Sequence, residues 1–254
     1  MMRINWLLVC VALIAALGLL WTPYDPLAQD FRELRLGGFS PPHLLGIDGL
    51  GRDVLSRLWR GLGNTVALSL IALVLNFAVA SMMLVIEEKV PIIGRTLIPL
   101  VAAVWLGFPV VFLSLILLMF LPPAGGTVVL AVALGNTPVS YRQLRVTWRE
   151  QRRMAYVEAS SALGVTGWKL FRWTLWPNLM PDVVALARLV FALSALELSG
   201  LAFLGVIGDP DFPELGAMLR QNQAYLTNAP WLVLLPGIIL SGMLLMVHLS
   251  GQRK

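Results

Sequence analysis

Apolar residues gather in long runs along this chain, and the polar ones fall in the gaps between them. Residues 4–21, 65–86, 97–121 and 231–249 form runs long enough to cross a hydrocarbon layer, for which about 20 residues suffice. Two further runs are less pure. Residues 127–141 form a short one, broken by Asn136 and Pro138, that passes into Arg142, Arg145, Arg149, Arg152 and Arg153. Residues 182–206 form the other, with Arg188 and Glu197 inside it. The pattern predicts an all-α, polytopic membrane protein with six transmembrane helices. Asn76 interrupts the second span, and a polar residue at such a depth faces other helices. Pro109 is expected to kink the third. The fourth helix is expected to continue out of the membrane, with a narrow interfacial turn as the alternative. Arg188 and Glu197 are costly in a span unless they find partners or water. With Asn76 and Asn136 they are the candidate pathway or interhelical polar groups.

The polar gaps differ in character. Residues 22–64 hold Pro23, Pro26, Pro41 and Pro42, and read as an extracytoplasmic segment. Within it Gly46, Gly49 and Gly51 allow a tight turn. Val54, Leu55, Leu58 and Leu62 then fall at helical spacing, with Arg52, Arg57 and Arg60 leaving the other face charged. This stretch fits a helix lying on the membrane surface, and equally a part that contacts another protein. Residues 142–178 are polar and basic. Glu158 to Leu163 favours helix, and Gly164 suits the position just past a helix end, where positive φ is needed. Thr166 is placed to cap a second helix from Gly167 to about Leu175, and Pro177 is expected to stop it. On these grounds alone the stretch is an ordinary connection between spans.

Composition sharpens the picture. Only 13% of the 254 residues are charged, against about 25% in soluble domains, so the chain is an integral membrane protein. The net charge of +5 reflects orientation in the bilayer better than it does nucleic acid, which is not an expected partner. Lys and Arg number twelve on one proposed side and six on the other. That excess puts both termini and residues 142–178 in the cytoplasm, and residues 22–64 and 207–229 outside. Leu19-Leu20-Trp21 offers no small-residue cleavage pattern, which favours an uncleaved anchor over a signal peptide. Cys10 is the single cysteine, and His43 and His248 are too far apart in sequence for a metal site built on spacing. No lysine follows a glycine, so the chain carries no P-loop. Neither a cofactor nor a metal site is expected.

Residues 156–178 resemble the cytoplasmic "EAA" loop of ABC-importer permeases, whose pattern is E-A-A, three residues, G, nine residues, I-x-L-P. Glu158 and Ala159 match, Ser160 replaces the second Ala, and Gly164 and Pro177 fall in register; Thr174 and Trp176 replace the aliphatic positions. The rest of the chain resembles the C-type permease subunits of dipeptide, oligopeptide and nickel importers. Thr22-Pro23-Tyr24-Asp25-Pro26 and the 43–58 stretch are similar to that branch's signature after its first span. Leu201-Ala202-Phe203-Leu204-Gly205 is similar to L-S-F-L-G. Leu198 stands where the family often has Glu, and Glu197 is one residue earlier, about 100° around a helix. Leu215-Gly216-Ala217-Met218-Leu219 resembles W-G-x-M-L with Leu215 in the Trp position.

The resemblance implies a type I ABC importer permease fold in one domain, 1–254, and a bacterial inner-membrane location. It implies half of a translocation pathway for peptides, nickel or a metal–chelator complex. The implied partners are a second homologous permease, two P-loop ATPase subunits and an extracytoplasmic substrate-binding protein. It makes residues 142–178 a coupling loop, with Glu158, Ala159, Ser160, Gly164, Trp168 and Pro177 at the ATPase contact and hydrolysis on the separate subunits. Two alternatives belong to other classes. An intramembrane enzyme needs clustered nucleophiles or acids, and no Ser-His, paired-Asp or His-Glu-x-x-His pattern is present. A secondary transporter often shows internal repeats, and none is evident between the two halves.

Overall fold

A computed structural model describes residues 6–30, 43–120, 125–206 and 211–252. Arg3, the 31–42 part of the first external segment, the Pro122-Pro123-Ala124 turn, residues 207–210 and the Arg253-Lys254 pair lie outside these. Ten α-helices account for most of what is described: α1 (Trp6–Leu20), α2 (Val54–Lys89), α3 (Pro91–Leu106), α4 (Val110–Phe120), α5 (Gly125–Arg152), α6 (Ala155–Ala162), α7 (Gly167–Leu170), α8 (Trp176–Phe203), α9 (Leu215–Asn222) and α10 (Trp231–Gln252). Among the described residues there is no strand, only an isolated bridge between Ile47 and Asp53.

The long helices are long because nothing in their sequence stops them. α2 runs 36 residues, about 54 Å at 1.5 Å per residue, well beyond the ~30 Å of a hydrocarbon core. Its start is set by Asp53, whose carboxylate accepts the Ser56 N–H at 2.7 Å. The 54–62 stretch is therefore not a separate surface helix; it is the first part of α2. Its arginines do not form a solvated face either, since Arg52 and Arg57 are each 1% exposed. At the third apolar run, Gly107, Phe108 and Pro109 divide α3 from α4, and the two meet at 102°. Proline disfavours helix in the residue before it, and here the expected kink is a full break. α5 continues without interruption to Arg152, past Asn136 and Pro138.

Pro177 does not end a helix. α7 passes through one π turn (Phe171–Leu175) directly into α8, where Pro177 occupies the first turn. The π turn lets Trp176 donate to the Phe171 carbonyl, and Pro177 sits where its missing N–H is not required.

α2 is the central element. One buried cluster joins it to α1, α8, α9 and α10 through Val11, Leu58, Val66, Phe191, Met218 and Leu232. A second joins it to α5 and α8 through Ala72, Val128, Val132 and Leu198. A third, with Ala80, Ala102 and Tyr141, joins α2, α3 and α5. Ala72, Ala80 and Ala131 are completely buried; small residues let helices approach closely where lipid provides no hydrophobic drive. Gly216 shows the limit of this: a Cβ there would lie 1.9 Å from the Ser199 carbonyl oxygen, so α9 rests directly on the backbone of α8.

Among the described residues, three helical stretches are long and apolar enough to cross a membrane, and the bent α3–α4 pair makes a fourth if it is one span. The apolar part described in α1, Val11–Leu20, is shorter, and α5 carries Asn136 and Arg142 within its length.

Candidate functional site

Residues 153–178 connect α5 to α8. The connection is pinned on one side and bare on the other. Val157, Leu175 and Leu179 are buried together, with Trp148, Tyr156, Leu170 and Phe171 packed around them. Phe171 is the hub, with ring centroids at 5.2 Å from Trp168, 5.8 Å from Trp176 and 6.2 Å from Trp148. Tyr156 donates its hydroxyl hydrogen to Gln151. This anchoring fixes α6 against the bases of α5 and α8.

The end of α6 is a complete Schellman cap. Gly164 has φ +82°, its N–H donates to the Ser161 carbonyl, and the Val165 N–H donates to the Ser160 carbonyl at 3.1 Å. These bonds satisfy carbonyls that a helix end otherwise leaves open. Thr166 holds the N-cap position of α7 with extended backbone, but its side chain makes no capping bond. Gly167 is also left-handed, at φ +60°.

The outward side carries the residues singled out from the sequence. Glu158, Ala159, Gly164, Trp168 and Pro177 are exposed, and Ser160 is half-buried, its hydroxyl donating to the Tyr156 carbonyl at 2.8 Å. The Glu158 carboxylate has no hydrogen bond or ion pair among the described residues and caps no local N–H. Beside it Leu163 is 85% exposed and Trp168 is 71% exposed. Leu163 was not singled out from the sequence. Its signal is its position between the last turn of α6 and the Gly164 reversal, which throws its side chain outward.

The candidate polar groups of the spans divide into two places. Asn76, Asn136 and Glu197 form one line across α2, α5 and α8. Asn76 donates to the Ala133 carbonyl at 3.0 Å and accepts from the Ser140 hydroxyl. Asn136 donates to Glu197 Oε2 at 2.6 Å. Asn76 and Asn136 are buried, whereas Glu197 is half-buried. The line lies within the three-helix core and ties α2, α5 and α8 together by interhelical hydrogen bonds. Arg188 is elsewhere: it donates to the Ser250 carbonyl at 2.9 Å, near the last turn of α10.

Two ionic clusters were missed. Glu87 and Glu88 lie in the last turn of α2, and Glu87 is fully buried. Glu87 accepts from Tyr141, from Arg145 at 2.8 Å and from Arg149 at 2.6 Å, and Glu88 pairs with Arg152 at 2.9 Å. Tyr141, Arg145, Arg149 and Arg152 recur at three or four residues on one face of α5, which is the signal that could have found them. The second cluster is at the opposite end. Arg52 reaches Asp48 and Asp211, each at 2.8 Å, and Gln221 at 2.8 Å; Arg57 shares Gln221 at 3.0 Å. Glu214 lies close by, capping α9 through the Ala217 N–H and accepting from Ser199 and Thr65. Burial pushes its carboxyl above the ordinary range, while the bonds from Ser199, Ala217 and Thr65 pull the other way.

Among the described residues no group of His, Cys, Asp and Glu side chains could hold a metal ion.

Comparison with known proteins gives consistent findings. Residues 90–252 match the model of the family described as binding-protein-dependent transport system inner membrane component. The dipeptide transport system permease protein DppC of Haemophilus influenzae is 29% identical over 247 residues, covering 95% of this chain and 84% of the relative. The di/tripeptide permease protein DppC of Pseudomonas aeruginosa is 30% identical over 239 residues, with 91% and 78% covered. The nickel transport system permease protein NikC of Escherichia coli is 29% identical over 252 residues, with 96% and 89% covered. Among solved structures, the inward-facing MetNI methionine ABC transporter superposes with a TM-score of 0.59 at 18% identity, covering 77% of this chain and 93% of that one. At that identity the likeness speaks for the fold.

Proposed function

From the premise that this chain belongs to the family of binding-protein-dependent transport system inner membrane components, and is an inner-membrane, multi-pass permease subunit of an ABC importer, we propose that it forms half of a translocation pathway and couples to a separate ATPase through residues 155–178. The observation that carries the coupling role is the bare side of the loop. Leu163 and Trp168 are large apolar side chains left outside a packed anchor, on an element held rigidly by the Gly164 cap. Exposed apolar groups on a rigid polar segment mark a docking surface. ATP-driven movement of the bound subunit would pull on α6, and through its buried contacts on the bases of α5 and α8.

The remaining assignments follow the same frame. The chain has six spans, with α1, α2, the α3–α4 pair, α5, α8 and α10 supplying one each. A second, homologous permease supplies the other half of the pathway, two P-loop ATPase subunits supply energy, and an extracytoplasmic binding protein delivers cargo. The cargo lies in the peptide and nickel range named by the relatives, and Asn76, Asn136 and Glu197 stand at the pathway. Both termini and the loop are cytoplasmic. Supporting this orientation, Arg142, Arg145, Arg149, Arg152 and Arg153 all lie at the loop end of α5.

Two experiments test the proposal. Leu163→Asp should abolish co-purification of the ATPase subunits with the membrane-inserted chain; undiminished capture would remove the docking role. Cysteines placed at the exposed positions Gln29 and Gln223 should react with an impermeant thiol reagent in intact cells, while one at Arg153 should not. The opposite labelling would invert the topology.

A further inference from the structure

Two apolar grooves run side by side along α8, and a single cation stands between them. One, about 290 Å³, is walled by α1, α2, α8 and α10, with Ala12, Leu70, Ala187 and Phe191 among its lining. The other, about 320 Å³, lies between α8 and α10 and is lined by Leu189, Ala192 and His248. Arg188 and Val247 line both. Among the described residues no carboxylate lines either groove.

Arg188 has five N–H donors and uses one of them, toward the Ser250 carbonyl. It has no ion pair among the described residues. The contrast with the other inward-facing arginines is plain, since Arg52, Arg57 and Arg145 each meet a carboxylate. Among the described residues nothing neutralises this arginine, and a cation on a membrane-spanning helix favours an anionic partner. The grooves specify its form. Two apolar channels meeting at one guanidinium match two acyl chains joined at one anionic headgroup. Ser250 belongs to the last turn of α10, so the cation sits at a helix end, where headgroups lie, and not at mid-span. Basic pockets between spans on the cytoplasmic side are a recurrent way of holding anionic lipid.

We propose that Arg188 and the two grooves form a binding site for one anionic diacyl phospholipid, with the phosphate on Arg188 and a chain in each groove. Its placement in the inner leaflet rests on the orientation proposed above; the binding itself does not.

The full chain, purified in mild detergent, is titrated with phosphatidylglycerol or phosphatidylcholine and bound lipid is read by native mass spectrometry. Wild type should prefer phosphatidylglycerol by about fivefold, the preference that one arginine at a membrane surface provides. Arg188→Gln should lose that preference and Arg188→Lys should keep most of it. Ala192→Phe, which fills one groove without altering charge, should weaken diacyl phosphatidylglycerol and spare the single-chain lyso form. Equal retention of both lipids by wild type would overturn the proposal, as would unchanged preference in Arg188→Gln. Displacement of the lipid by inorganic phosphate would make this a plain anion site and overturn it too. So would a cysteine at Ala192 that cross-links to another subunit of the assembled transporter, since a protein would then cover the grooves. Should Arg188→Gln fail to fold, the Ala192→Phe comparison decides.

Discussion

The ionic cluster around Arg52 and the α6 loop treat their charged residues in opposite ways. In that cluster Arg52 and Arg57 are withdrawn from solvent, and Asp48, Asp211 and Gln221 meet them. Four stretches of chain converge there, because Arg57 also reaches the Pro26 carbonyl. In the loop, Glu158 has no partner among the described residues and Leu163 and Trp168 project outward. Polarity satisfied from within holds a fold together. Polarity and apolar surface left open on a rigid frame are available to another molecule.

Stability should therefore fall most where the polar groups are paired, and function where they are not. The largest loss of stability is expected from Arg52→Ala, which leaves Asp48 buried without its main partner and costs about 3–5 kcal/mol. A fall in thermal midpoint in detergent would register it, while the molecules that remain folded should still capture the ATPase. Glu87→Gln comes next, at about 1–3 kcal/mol, because Arg145 and Arg149 are partly exposed and water can take up their charge. Gly164→Val should cost only about 1–2 kcal/mol, from a β-branched residue forced to positive φ; no atom lies within 4 Å of a Cβ there, so strain is the whole cost. Glu158→Ala should shift stability by less than about 0.5 kcal/mol and weaken ATPase capture modestly. If the order of stability losses were reversed, with loop variants worse than Arg52→Ala, the division between the two regions would fail.

Much of this was legible in the sequence, and what was not has physical reasons. The apolar runs pointed to an all-helical membrane protein, and the resemblance of the 156–178 loop together with the rest of the chain pointed to the family. The left-handed Gly164 is as its helix-end position requires. Pro177 misled because a π turn can accommodate a proline that an unbroken α-helix excludes, and no local rule announces that turn. Arg52 and Arg57 misled for another reason. Charge read along a helix suggests a solvated face, but the partners Asp211 and Gln221 lie more than 150 residues away in sequence. Nothing local to Arg52 indicates that its counter-charge arrives from the segment before α9. Leu163 was invisible for the converse reason: an aliphatic residue in a membrane protein is expected to be covered, and only the Gly164 reversal exposes it.

The most direct measurement of the central claim is the behaviour of Gly164→Val in the complete transporter, with ATPase co-purification and substrate uptake followed together at matched expression. A loop that docks the ATPase predicts normal insertion of the chain, sharply reduced ATPase capture and no uptake. Uptake and capture equal to wild type would mean that residues 155–178 merely connect α5 to α8, and would contradict the account.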